Sequence, residues 1–202
     1  MPERRLIVGI SGSTGIIYGI RLLEILREVP DVRTHLIITP AAVRSLTLET
    51  DYTLQEVEAL ADEVHHFRDI AASISSGSFR TSGMVVIPCS MKTLAGIALS
   101  FSENLLLRAA DVTLKERRPL VLVPRETPLH LGHLRLMVQA AEIGAIIMPP
   151  VPAFYHRPRT IDDIINQTVN RVLDLLGIEL SADLFARWKG AADALSMKTR
   201  RE

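Results

Sequence analysis

Short runs of nearly unbroken apolar residues punctuate the chain: Leu6 to Ile10, His35 to Thr39, Met84 to Pro88, Leu120 to Pro124 and Ala145 to Met148. They are rich in Val and Ile and lack the in–out alternation of a half-exposed strand. This predicts parallel strands covered on both faces. Between them the pattern takes a helical period, and Ile17 to Arg27 gathers Leu22, Leu23, Ile25 and Leu26 on one broad face. Thr39-Pro40 reads as a helix start, a hydroxyl cap followed by proline at the first helical position. Thr53 to Glu56 has capping-box spacing, and Thr127-Pro128 and Thr160 with Asp163 are expected to open two later helices. Gly144 and Gly177 stand where helix stops belong. Strand and helix alternate, which predicts an α/β fold: a three-layer, doubly wound parallel sheet with right-handed crossovers in a single domain. Residues 1–190 form that domain in this reading, and 191–202 are a charged C-terminal tail. Ser73 to Ser78 and Pro149 to Pro158 read as loops.

Composition narrows the possibilities. The 202 residues suit one domain with a sizeable core. Lys and Arg number 23, as do Asp and Glu, so the formal net charge is zero. This argues against nucleic acid as the main partner, because phosphate-backbone binding needs an excess of basic surface, although a local basic cluster could hold one small phosphate. Apolar residues make up 48% and mean hydropathy is +0.22, yet no apolar run reaches the roughly 18–20 residues of a membrane span. Much of that apolar surface is expected between subunits. The single cysteine, Cys89, permits no intrachain disulfide and no thiolate zinc cluster, and it reads as a small core residue. Met1 to Arg5 runs straight into a strand with no signal-peptide pattern, so a cytoplasmic protein is expected.

In a doubly wound sheet, ligands sit outside the carboxyl ends of the strands. The unusual residues fall there. The first strand runs into Gly9 to Gly15 (GISGSTG), a glycine-rich turn crowded with the hydroxyls of Ser11, Ser13 and Thr14. Glycines allow close backbone approach, and the following helix is expected to offer N–H groups to an anion. The glycine spacing is not the dinucleotide fingerprint, and a ligand-free tight turn is the alternative. Ser90 to Thr93 is another strand-to-helix start, either a ligand contact or an ordinary cap. Arg108 and Lys115 are seven residues apart and share a helix face. Arg117, Arg118 and Arg171 read equally as solvated helix cations. Glu49 and Glu126 could do acid–base work at the crevice or lie on the surface. His130 and His133 have metal-pair spacing but no evident third ligand. Tyr155 serves either packing or phosphate.

As a set, these segments resemble the UbiX family of flavin prenyltransferases over residues 4–190. The matching stretches are GISGSTG at 9–15, LETD at 48–51, ISSGS at 74–78, PCS at 88–90, RAADV at 108–112, LKERRPL at 114–120, VPRE at 123–126 and PAFYH at 152–156. The resemblance implies a flavodoxin-like fold in a dodecamer built from trimers. It implies transfer of the prenyl group of dimethylallyl phosphate to N5 and C6 of reduced FMN, without a metal. The prenylated FMN would go to a UbiD-type decarboxylase, in many bacteria for ubiquinone synthesis. Gly12, Ser13, Thr14, Thr39, Ser90, Met91, Lys92, Thr93 and Arg125 would contact FMN. Ser76, Arg108, Lys115, Tyr155 and Arg171 would bind the prenyl phosphate, with Lys115 also polarising it. Glu49 and Glu126 would move protons and orient the reactants, and Trp188 would cover a neighbouring subunit's site. One departure is Ser13-Thr14-Gly15, where many members carry Ala-Ser-Gly. A flavin-dependent cysteine decarboxylase of the same fold is the alternative enzyme, but the early catalytic histidine and clamping loop it needs are not evident. A non-catalytic FMN carrier is the alternative outside catalysis.

Overall fold

The apolar runs form strands, and helices fill the intervals between them. The structure, a computed structural model, describes residues 3–190, so the tail at 191–202 lies outside the described residues. In chain order the elements are β1 (Arg4–Ile10), α1 (Ile16–Leu26), β2 (Val32–Ile38), α2 (Pro40–Glu49), α3 (Leu54–Glu58) and β3 (Glu63–Val64). A 3-10 turn (Ser73–Ser75) precedes β4 (Gly83–Cys89), α4 (Met91–Ala98), α5 (Leu105–Lys115), β5 (Leu120–Pro124), α6 (Leu131–Glu142), β6 (Ile146–Ile147) and α7 (Ile161–Leu175).

The strands form one sheet in the order β3-β2-β1-β4-β5-β6, and all neighbours run parallel. Without the two-residue β3 at the edge, this is the flavodoxin-like order, and the strand order reverses across the β1–β4 pair. Successive strand residues enter opposite cores. Val85 and Ile87 of β4 pack with α1 and α7 residues such as Ile20 and Val169, whereas Met84 and Val86 pack with Leu94 of α4 and Leu106 of α5. All seven residues of β4 are buried. Both faces are covered, which is why the strands read as continuous apolar runs.

Several boundaries differ from the sequence reading. β2 begins at Val32, three residues before the apolar run, because Arg33 points outward while Val32 and Thr34 are buried. Thr39 ends the strand and caps α2, accepting from the Ala42 N–H at 3.1 Å. Thr127-Pro128 does not open a helix. α6 starts at Leu131, and its cap is the His130 ring, whose Nδ1 accepts from the Gly132 N–H at 3.0 Å. This capping occupies one of the two histidines with metal-pair spacing. β3 had no sequence signal, since Glu63 and Val64 are both exposed and the strand exists only by pairing with His35 and Leu36. The capping boxes at Thr53–Glu56 and Thr160–Asp163 form as expected.

α6 is unusual in burying only Ala140. Leu131, Leu134 and Val138 share one face at helical spacing, and they are 59%, 45% and 55% exposed. Such a stripe marks an interaction surface. Light scattering at micromolar concentration is expected to give a mass several times 22.4 kDa. Leu134→Asp combined with Val138→Asp should lower it. A wild-type monomer would rule out this use of α6.

Candidate active site at the carboxyl edge of the sheet

The turns after β1, β2, β4 and β5 are stitched into one crevice by hydrogen bonds. Ser11 is fully buried, and its Oγ donates to the Pro88 carbonyl at 3.1 Å and accepts from the Ser90 N–H at 2.7 Å. Ser13 Oγ donates to the Arg125 carbonyl at 2.8 Å, and the Thr39 N–H donates to the Ile10 carbonyl at 3.0 Å. Gly12 is required by packing: a Cβ there would lie 2.3 Å from the Cβ of Ala41, so only glycine lets the first turn touch α2. Of the three hydroxyls expected to crowd this turn, Ser11 is structural and Ser13 is held by Arg125. Thr14 is exposed, the α1 N-cap is Gly15, and the Thr14 hydroxyl has no partner among the described residues.

The anion site expected at the start of α1 is already filled. The Gly15 and Ile16 N–H groups donate to Oε2 of Glu49 at 2.8 and 3.3 Å. A carboxylate at a helix N-terminus is favourable, so Glu49 lies at the crevice with one oxygen committed to the backbone. The start of α4 is open instead. Ser90 caps it by accepting from the Thr93 N–H at 3.3 Å, and Ser90 also donates to the Thr93 hydroxyl at 3.1 Å. The Met91 and Lys92 N–H groups have no intrahelical partner and none among the other described bonds. Lys92, Arg125 and Glu126 are exposed beside these turns, and one Glu126 oxygen accepts from the Thr127 N–H at 3.0 Å. Free amides with a lysine and an arginine nearby can hold a phosphate.

The remaining predicted residues form two further groups. In the first, Arg108 Nε donates to the Ser75 carbonyl at 3.2 Å, and its Nη1 pairs with Asp111 at 2.9 Å. Lys115 Nζ pairs with Glu116 at 2.6 Å and lowers the pKa of that carboxyl by hydrogen bond and charge. The Ser76-Gly77 turn lies against this pair, since a Cβ on Gly77 would come within 2.8 Å of Lys115 Nζ. Arg118 is not a solvated helix cation. It donates to the carbonyls of Phe79 and Gly77 at 3.0 and 2.8 Å and holds the 77–81 loop in place. Sequence reasoning missed that role because its partners are backbone atoms nearly forty residues away.

In the second group, the Tyr155 ring meets Trp188 edge-on at 5.8 Å and Phe185 at 6.4 Å. Arg171 pairs with Asp174 at 2.6 Å, as Arg187 does at 2.7 Å. The Arg187 hydrogen bonds hold the Asp174 carboxyl below its usual range. Cys89 is buried, and burial pushes its thiol pKa upward, as suits a core residue.

The three groups do not converge within one chain. α5 packs on the sheet face shared with α4 and the 3-10 turn, whereas α7 packs with α1 on the other. Lys115 ends α5 just before β5 begins, at the amino edge of the sheet, opposite the crevice. The Tyr155 loop packs on the 185–188 segment and makes no hydrogen bond to the four turns among the described residues.

Comparison with known proteins agrees with this architecture. Residues 1–173 match the Flavoprotein family. The flavin prenyltransferase UbiX of Escherichia coli K12 is 70% identical over 188 residues, covering 93% of this chain and all of that protein. The crystal structure of AnUbiX (PadA1) in complex with FMN and dimethylallyl pyrophosphate is 51% identical with a TM-score of 0.89, covering 93% of this chain and 98% of that one. A dodecameric FMN-dependent UbiX-like decarboxylase from Escherichia coli O157:H7 is 53% identical with a TM-score of 0.87, covering 92% and 99%. The fold, the crevice and these relationships together place the chain in the Flavoprotein family, among its UbiX flavin prenyltransferases.

Proposed function

We propose that this chain is a metal-independent transferase that joins the dimethylallyl group of dimethylallyl phosphate to N5 and C6 of reduced FMN. The observation that carries the reading is 70% identity across the whole length of a flavin prenyltransferase. The prenylated FMN passes to a UbiD-type decarboxylase, and the pathway served is ubiquinone synthesis in the cytoplasm. No helix among the described residues is long and apolar enough to cross a membrane.

The open end of α4, with Ser90, Met91, Lys92 and Thr93, takes the FMN phosphate, and Gly12, Ser13, Thr14, Thr39 and Arg125 line the rest. Reduced FMN supplies the nucleophile when bound. Thr14 orients it through the unpaired hydroxyl. Glu126 has one carboxylate oxygen uncommitted and handles the proton. Glu49, fixed by two backbone amides, positions the reactants.

A monophosphate leaves readily only when its charge is neutralised, here by Arg108, Lys115 and Arg171 with the Tyr155 hydroxyl. Each of these cations already has a carboxylate partner. Exposed ion pairs are worth only about 0–1 kcal/mol, so a phosphate can take over a share of the cation at little cost. The Ser76–Arg108–Lys115 group and the Tyr155–Arg171–Trp188 group reach the crevices of neighbouring copies in a dodecamer, a reading that the separation of the groups within one chain supports.

Incubation with reduced FMN and dimethylallyl phosphate should add the mass of one prenyl group to the flavin, and unchanged FMN would sink the reading. Lys115→Ala should weaken prenyl phosphate by about 1.5–3 kcal/mol, the worth of a charge-assisted contact, and leave FMN affinity alone. Equal weakening of both ligands would show the assignment to be wrong. Thr14→Val should keep FMN but slow single-turnover transfer tenfold or more, about 1.4 kcal/mol in the barrier. A wild-type rate would remove Thr14 from the chemistry. Co-assembling Lys115→Ala chains with Thr14→Val chains should recover part of the rate, because some sites then draw both intact groups from different copies.

A further inference from the structure

A second cluster of chemically capable side chains lies at the β2–β3 edge, apart from the crevice. His35 Nδ1 and His65 Nε2 face each other at 3.0 Å. Glu63 Oε2 lies 3.4 Å from the first and 3.8 Å from the second. His35 is completely buried, the His65 side chain is 11% exposed and that of Glu63 is 44% exposed. The topology creates the cluster: β3 pairs Glu63 with His35, and the next residue, His65, donates its N–H to the Leu36 carbonyl at 2.9 Å.

We propose that His35, Glu63 and His65 form a binding site for a divalent transition cation of the zinc type. Ligand bonds of about 2.0–2.2 Å in a tetrahedron put neighbouring donor atoms roughly 3.3–3.5 Å apart. The three separations bracket that edge, so the donors need to move by only a few tenths of an ångström. Two imidazoles and a carboxylate are a set that zinc accepts, with a fourth position left for water. The exposed side of Glu63 provides the way in.

The surroundings are compatible with a cation. Arg5 and Arg33 lie near, but each is drawn toward Glu3, at 3.8 and 3.5 Å, and Arg5 also stacks 4.9 Å over Phe79. Asp69 adds negative charge beside His65. Burial lowers the pKa of both histidines, which leaves their lone pairs available at neutral pH. His35 Nε2 has no hydrogen-bond partner and the Phe79 ring stands edge-on at 5.3 Å, so ligation through Nδ1 disrupts no existing bond on the far side of the ring.

The ion would clip the two-residue β3 to the sheet. His35 is four residues from Thr39, about 13 Å along the strand, so the ion takes no part in prenyl transfer. The test uses the assembled protein stripped with a chelator and titrated with zinc by calorimetry. One zinc per chain is expected, together with a rise in Tm. His65→Ala and Glu63→Gln should each weaken binding by more than the roughly 10–100-fold that outer-shell changes cost. His133→Ala should change nothing, which controls for the stacked His130–His133 pair, whose ring centroids are 3.6 Å apart. Cobalt should give the intense visible bands of a tetrahedral site in wild type and not in His65→Ala. Glu63→Gln alters a half-exposed side chain and carries the test if His65→Ala fails to assemble. Absence of stoichiometric binding, binding unchanged in the cluster variants, or binding lost in His133→Ala would each overturn the site. Prenyl transfer measured with and without zinc should be equal, so neither result depends on the proposed function.

Discussion

The crevice depends on one buried hydroxyl. β1 and β4 pair in register only as far as Gly9 and Val86, at the point where the strand order of the sheet reverses. The Pro88 carbonyl still accepts from the Ser11 backbone N–H at 3.2 Å, but the Ser90 N–H has no backbone partner, and the Ser11 hydroxyl accepts from it while donating to Pro88. A buried unsatisfied polar group costs about 1–3 kcal/mol, so this serine acts as the missing rung of the sheet. It also fixes Ser90, and with it the direction of α4. The Gly12 contact with Ala41 then brings α2 against the same turn. The positions of two helix starts, those of α4 and α2, therefore follow from residues 11 and 12.

The helix starts at the crevice are not equivalent. Each is a partial positive charge with free amides. Glu49 reaches back from the end of α2 to satisfy α1; Thr39 and Ser90 cap α2 and α4 in the same way, but α2 has a proline, without an N–H, at its first position, whereas α4 keeps the Met91 and Lys92 amides free just after its cap. A single carboxylate thus closes the start of α1 to another anion. The same residue holds an acidic group at the mouth of the crevice without a lysine or arginine partner among the described residues.

Much of this was legible in the sequence because it depends on local chemistry. Continuous apolar runs reported strands with two covered faces, and the Thr53 and Thr160 capping boxes reported helix starts within a few residues of themselves. The glycine-rich turn was correctly placed, but the occupant of its helix end was not, because Glu49 lies 34 residues further along the chain. β3 was illegible for a related reason: Glu63 and Val64 carry no periodic signal, and only the fold brings them beside His35. The start of α6 was misplaced because a histidine ring does there what a hydroxyl usually does. Arg118 looked like a solvated cation, since its partners are carbonyl groups that no sequence pattern marks. Contacts made by side chains to distant backbone are the class that pattern reading misses.

The separation of the cationic groups gives the assembly a chemical purpose under the proposed function. A helix is about 10–12 Å across, so α5 and α7 on opposite faces of the sheet have axes roughly 20 Å apart. No single phosphate can touch Lys115 and Arg171 of the same chain across that distance. On the proposed function, surfaces of neighbouring copies meet at the crevice, and α6 offers an exposed apolar stripe on which copies can pack. Pairing each clamp cation with its own carboxylate also lets those surfaces approach without bare positive charges facing one another. The chain's zero net charge is consistent with such close packing of many copies. On the proposed function, leaving-group activation would then belong to the assembly, and an isolated chain would hold the flavin without the charges that release the phosphate.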